Sequence, residues 1–151
     1  MKVNPNVHMI TGFPQIYPRP PGNSLLKIKR DGNYSEDRFD HELALVLKED
    51  DGIVVFTGCG HSGVLNIVTA ARSAFPAERI KAVVGGFHQM SGPGGVSTSS
   101  DVIREMGREL VRLGCEKVYG GHCTGTEASK LLKDDLGEVY RELHTGLRFD
   151  L

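Results

Sequence analysis

The sequence contains no tryptophan and only three cysteines, Cys59, Cys115 and Cys123, in 151 residues. Three thiols cannot all pair within one chain, and two of them stand close to histidines rather than in a spaced framework. A disulfide scaffold is therefore not expected, and free thiols in a reducing compartment are. No apolar run approaches the roughly 20 residues of a membrane span, and the opening MKVNPNVHMI lacks the apolar stretch of a secretory signal. These absences point to a cytoplasmic protein with no membrane partner. An excess of charge of one sign is missing too: 18 Lys and Arg face 19 Asp and Glu, for a formal net charge of −1. No basic cluster marks a duplex-binding surface, so nucleic acid is not an expected partner.

What is present describes a globular chain rich in tight turns, with 39% hydrophobic residues, 25% charged residues and 19 glycines. The length is near that of one domain, and residues 1–151 are read as a single unit of the α/β or α+β class. Five prolines before residue 22 remove backbone donors, so residues 1–24 are expected to form an irregular arm or an edge strand. Leu25–Lys29 alternates apolar and basic residues like a half-buried strand, and Asp31-Gly32-Asn33 supplies a turn after it. Glu42–Lys48 and Ile53–Thr57 flank an Asp-Gly pair and predict a β-hairpin. Beyond Ile53 the rhythm becomes strand, glycine loop, helix, three times over. The apolar spacing predicts helices over Val64–Phe75, Asp101–Leu113 and Thr126–Leu136, with Ser62, Ser100 and a Thr124/Glu127 capping box as their starts. Further strands are expected at Ile80–Val84 and Lys117–Tyr119, with edge strands at Glu138–Leu143 and Leu147–Phe149.

Each of the three core strands runs into glycine and then histidine. IVVFTGCGH reaches His61, KAVVGGFH reaches His88 and KVYGGH reaches His122. Parallel strands joined by helical crossovers present their carboxyl ends on one edge, and ligands gather in the crevice outside that edge. The three imidazoles are therefore expected to converge. Neutral imidazole binds zinc and iron readily, and three protein ligands with an open position are the usual catalytic zinc arrangement. Against this stands the ordinary role of a strand-end histidine as a hydrogen-bonded loop residue, which is the reading given to His8, His41 and His144. Cys59, two residues before His61, is a candidate soft fourth ligand or activated thiolate, with a small buried thiol as the plain alternative. Cys123 is expected to point away from His122, and no chemistry is assigned to it or to Cys115. Ser91–Ser100 suits a lid or a phosphate-binding loop, and Thr124-Gly125-Thr126 an anion at a helix start, although surface mobility and simple capping explain both.

The blocks Gly58-Cys59-Gly60-His61-Ser62-Gly63, Gly85-Gly86-Phe87-His88 and Gly121-His122-Cys123-Thr124-Gly125 stand in one order. Together with Ile10-Thr11-Gly12-Phe13-Pro14 and the stretch from Asp40 and Glu42 into Leu-Ala-Leu-Val, they resemble a family within the metallo-β-lactamase superfamily. That family includes the dihydropterin-ribofuranosylaminobenzene phosphate synthase-like proteins. The resemblance implies the carboxyl-terminal half of a four-layer αββα sandwich, a mixed sheet with helices packed on one face. It also implies a divalent metal, zinc foremost with iron or manganese as alternatives, on His61, His88, His122 and Cys59. The family's HxHxDH metal motif, which belongs to the first half, does not occur anywhere in the sequence.

The leading expectation is thus a metal-dependent hydrolase half-domain for a small-molecule ester, lactone or phosphoester. Its open sheet face would be covered in a homodimer or by a complementary amino-terminal half. A non-catalytic module holding a phosphorylated or pterin-like molecule is the alternative. A thiol-dependent enzyme using Cys59 with His61 is a third possibility.

Overall fold

Alternating apolar residues on either side of an Asp-Gly reversal build the middle of the sheet. The computed structural model describes residues 1–90 and 98–150, so most of the expected lid over Ser91–Ser100 lies outside the described residues. The chain runs β1 (Lys2–Asn4), β2 (Val7–Thr11), β3 (Lys27–Arg30), β4 (Asn33–Glu36), β5 (Leu43–Glu49) and β6 (Gly52–Thr57). It continues with α1 (Val64–Ala74), β7 (Ile80–Gly86), α2 (Ser100–Arg112), β8 (Val118–Gly121), α3 (Thr126–Leu136) and β9 (Tyr140–Glu142). Seven strands form one sheet in the order β1-β2-β5-β6-β7-β8-β9, and β3 pairs with β4 apart from it. The first half of the sheet is antiparallel; from β6 to β9 neighbours run parallel. This is the mixed α/β architecture read from the sequence.

All three helices pack on one face. Ile67 and Val68 of α1, Ile103 and Leu110 of α2, and Ala128 and Leu132 of α3 share a buried cluster with Val46, Val55, Val83 and Val118 of the sheet. Period-two alternation sends Val54, Ala82, Val84 and Tyr119 to the opposite face. That face is not bare: Leu143, Leu147 and Phe149 lie on it, and the Phe149 ring stacks on Tyr119 with centroids 4.1 Å apart. Leu147–Phe149, expected as an edge strand, is not a strand and packs on this face instead. Toward β5 the cover ends, and Leu43 is 47% exposed.

The helix boundaries agree with the sequence reading within a residue or two, but the expected caps do not form. Gly63, Ser99 and Gly125 occupy the N-cap positions, and none makes a side-chain cap bond. Thr124 is occupied otherwise, accepting a hydrogen bond from the Phe87 N–H at 3.1 Å. Of the arm and the edge strand expected for the amino-terminal residues, both occur: Lys2–Asn4 is the edge strand of the sheet, Val7–Thr11 pairs along its whole length with β5, and an irregular stretch follows. The proline-rich stretch that follows is held by Asn66 of α1, which is fully buried. Its Oδ1 accepts from the N–H groups of Ile16 and Tyr17 at 3.1 and 2.9 Å. Its Nδ2 donates to the carbonyls of Tyr17 and Ser62 at 2.9 and 2.8 Å.

Asn66→Ala would leave those four backbone groups without their partner, and a loss of about 2–4 kcal/mol in urea unfolding is expected. A change within about 0.5 kcal/mol, the range of an ordinary surface substitution, would show that the arm is held by something else. Phe149→Ala should cost about 1–2 kcal/mol and expose the sheet face, read as increased binding of a hydrophobic dye.

Candidate metal centre

The parallel strands bring three loops to one edge, and missing side chains let those loops touch. Gly86 N–H donates to the Gly58 carbonyl at 2.8 Å. A Cβ on Gly85, at φ +149°, would fall 2.2 Å from the Thr57 carbonyl oxygen, and one on Gly60 would fall 2.6 Å from that of Gly86. No side chain larger than hydrogen fits at these positions, so the glycines after β6 and β7 are a packing requirement.

Two donor groups result. In the first, the rings of His61 and His88 lie with centroids 4.2 Å apart at 60°. Phe39 stacks on the other face of His61 at 4.1 Å. Asn23 fixes the His61 tautomer. Its Nδ2 donates to the His61 carbonyl at 2.7 Å, which turns its Oδ1 toward Nδ1 of the ring at 2.9 Å. Nδ1 therefore carries the proton and Nε2 keeps its lone pair, the arrangement a metal-binding histidine needs. Glu42 holds the loop from below, accepting the N–H groups of His61 and Ser62 at 2.7 and 2.5 Å. Both ring nitrogens of His88 are buried without a hydrogen-bond partner among the described residues, a costly state that a ligand at the ring would relieve. Burial pushes both imidazoles below the usual histidine range, despite the opposing pull of Glu42. They stand neutral, the form in which imidazole coordinates.

The second group gathers around His122. Its Nε2 is 3.3 Å from Sγ of Cys59, and donor atoms of Cys59, His122 and Cys123 all lie within 4.8 Å of one another. Cys123 thus does not point away from His122, contrary to the sequence expectation. Its thiol donates to the Cys59 carbonyl at 3.3 Å, and burial pushes it up to about 12. The pairing of Cys59 with His61 expected of a thiol enzyme is replaced by Cys59 with His122. The two groups are neighbours, since Cys59 stands two residues before His61 and the Gln89 N–H, next to His88, donates to the Cys123 carbonyl at 3.1 Å. The three histidines read from the sequence therefore share one edge but divide as a pair and a single ring. His8 bonds locally to the Pro5 carbonyl, and His144 to that of Thr145.

Backbone strain concentrates here. Of the four non-glycine residues with positive φ among those described, Phe39, His88 and His122 belong to the site, at +55°, +45° and +53°. Such conformations cost about 1–3 kcal/mol each and persist where the surroundings enforce them. Beside the site a cleft of about 590 Å³ opens between the proline-rich arm and α2, lined by Tyr17, Arg19, Val64, Gln89, Val102 and Met106. The sequence held no signal for Asn23 or Phe39. Glu42 entered only as the start of a predicted strand and as part of the family-like stretch into Leu-Ala-Leu-Val.

No family model matches the chain. Among curated proteins it is similar to 7,8-dihydropterin-6-methyl-4-(β-D-ribofuranosyl)-aminobenzene-5′-phosphate synthase of Methanocaldococcus jannaschii, at 26% identity over 130 residues. That match covers 86% of this chain and 42% of the synthase. Among solved structures it is similar to a metal-dependent hydrolase of the β-lactamase superfamily, at 30% identity and a TM-score of 0.84 over 100% of this chain and 56% of that one. The chain thus spans about half the length of each relative. Over its full length the chain thus shares the fold of a hydrolase of the β-lactamase superfamily, and its sequence is similar to both relatives.

Proposed function

We propose that this chain is the metal-binding portion of a metal-dependent hydrolase acting on a small ester, lactone or phosphoester, and that turnover needs groups from a complementary amino-terminal half or a second copy. The observation that carries the metal reading is the His61–His88 pair, with one lone pair freed by the Asn23 contact and two buried ring nitrogens without partners among the described residues. A divalent ion, zinc foremost with iron and manganese as alternatives, fits this donor set and the neighbouring Cys59 and His122. When bound, such an ion supplies a water whose pKa falls from about 15.7 to about 7.

The chain's own residues do the positioning. Asn23 keeps the proton on Nδ1 of His61, and Glu42 fixes the backbone from which that ring projects. Phe39 covers one face of the ring and shields it from water. The need for further groups rests on the absence of HxHxDH from these 151 residues and on the sheet face around Leu43, which is 47% exposed. A second copy of this chain and a separate complementary half both suit that face.

The 590 Å³ cleft favours a second reading, in which the protein holds a phosphorylated or pterin-like molecule without turnover. Ligand affinity that survives chelation would support it.

Purified without added metal, the wild-type chain is expected to lose one bound ion per chain in the double variant His61→Ala/His88→Ala, read by elemental analysis. Unchanged stoichiometry sinks the metal reading. Light scattering is expected to show a species of twice the chain mass, or a monomer that gains hydrolytic activity only when a complementary half is supplied. A monomer of these 151 residues that is fully active alone would refute the need for further groups.

A further inference from the structure

We infer that the cleft between the proline-rich arm and α2 binds an organic phosphate monoester. Arg19, Thr98 and the starts of α1 and α2 hold the phosphate, and the apolar wall holds the organic group. The inference deepens the cleft reading given above and rests on it, but it draws nothing from the metal reading.

Topology explains why donors gather there. A helix that follows a parallel strand starts at the carboxyl edge of the sheet, so α1 after β6 and α2 after β7 begin at the same edge. Gly63 at the start of α1 and Ser99 at the start of α2 both line the cleft. Neither makes a side-chain cap bond, and the first turn of α1 carries no acidic residue. The N–H groups of a first helical turn have no partner within the helix, and the dipole there favours an anion.

Two side chains lining the same cleft lack the partners that burial demands. Thr98 is 8% exposed, and its Oγ1 has no hydrogen-bond partner among the described residues. The Nε of Arg19 is buried and equally unpartnered among them, while Nη1 of that guanidinium donates to the Arg38 carbonyl at 2.9 Å. Leaving such groups unsatisfied costs free energy that ligand oxygens would recover. Arginine grips phosphate through the paired N–H groups of one guanidinium edge, and the Nε edge is the one left open. Donors from three separate places, the arm, the α1 start and the α2 entrance, suit the three splayed oxygens of a phosphate better than a planar carboxylate.

Much of the remaining wall is apolar. Val64, Leu65, Val102 and Met106 line it, and the volume of about 590 Å³ is within the range of small-molecule sites. Its two carboxylates are engaged elsewhere, since Glu105 and Glu109 both pair with Arg112, at 2.8 and 2.5 Å. A phosphate at the helix starts and an apolar group against that wall make one amphipathic ligand.

Naphthyl phosphate and its neutral counterpart naphthol test this by fluorescence titration of the full chain. The chain has no tryptophan, so the naphthyl emission is read without interference. Chelation and dialysis beforehand remove metal as an alternative holder of the phosphate. Expected is saturable binding of one naphthyl phosphate per chain, about tenfold or more tighter than naphthol. Arg19→Gln should weaken the phosphate by about tenfold or more, the loss of a charge-assisted hydrogen bond, and Thr98→Val by about threefold to tenfold. Naphthol affinity should stay the same in both variants. Equal affinity of the wild type for the two probes overturns the phosphate assignment and leaves the cleft reading standing, whereas binding of neither overturns both. Unchanged phosphate affinity in Arg19→Gln also overturns the assignment. Should a variant fail to fold, the comparison of the two probes on the wild type decides.

Discussion

The site depends on one constraint, the near contact of two backbones at the carboxyl edge of the sheet. The loop after β6 and the loop after β7 meet through the Gly86–Gly58 hydrogen bond, at distances that exclude a side chain on Gly60, Gly85 or Gly86. A larger residue at any of these would part the loops. With them would part His61 from His88 and Cys59 from Cys123. Glycine here does more than permit a turn, because the closeness of the donors is a direct result of the closeness of the chains that carry them.

Much of this was legible beforehand, for a physical reason. A parallel strand followed by a crossover helix has few ways to pack, and three repeats of that unit place their strand ends together. The recurrence of glycine and histidine after each strand was therefore a spatial statement, and the structure does bring His61, His88 and His122 to one edge. Their division into a pair and a separate ring was not legible, because it turns on side-chain directions set by positive φ at His88 and His122. Pattern alone does not mark αL conformations at non-glycine residues. Cys123 was misread for the same cause, since adjacent side chains diverge only where the backbone is regular. The helix caps failed otherwise: Thr124 had cap chemistry but was recruited by the Phe87 N–H, a tertiary bond that local propensity does not contain.

The two donor groups differ in chemical character. His61 and His88 are uncharged nitrogen donors in a half-buried setting, one stacked on Phe39, whereas the other group carries two sulfurs and opens toward solvent at His122. The helix-free face shows a similar partial completeness. Tyr119 and Val84 are sealed by a segment of the chain itself, while the β5 side keeps leucine in water.

Asn66 carries a final implication. One buried amide ties the α1 entry at Ser62 to the proline-rich stretch at Tyr17, and Asn23, a few residues on, grips His61. Peeling the stretch away would break the amide's bonds to it and, as the motion reached Asn23, would release the imidazole. The donor loop and the segment beside it therefore open as one cooperative unit, and the orientation of an imidazole at the sheet edge lasts only as long as a proline-rich ribbon stays docked.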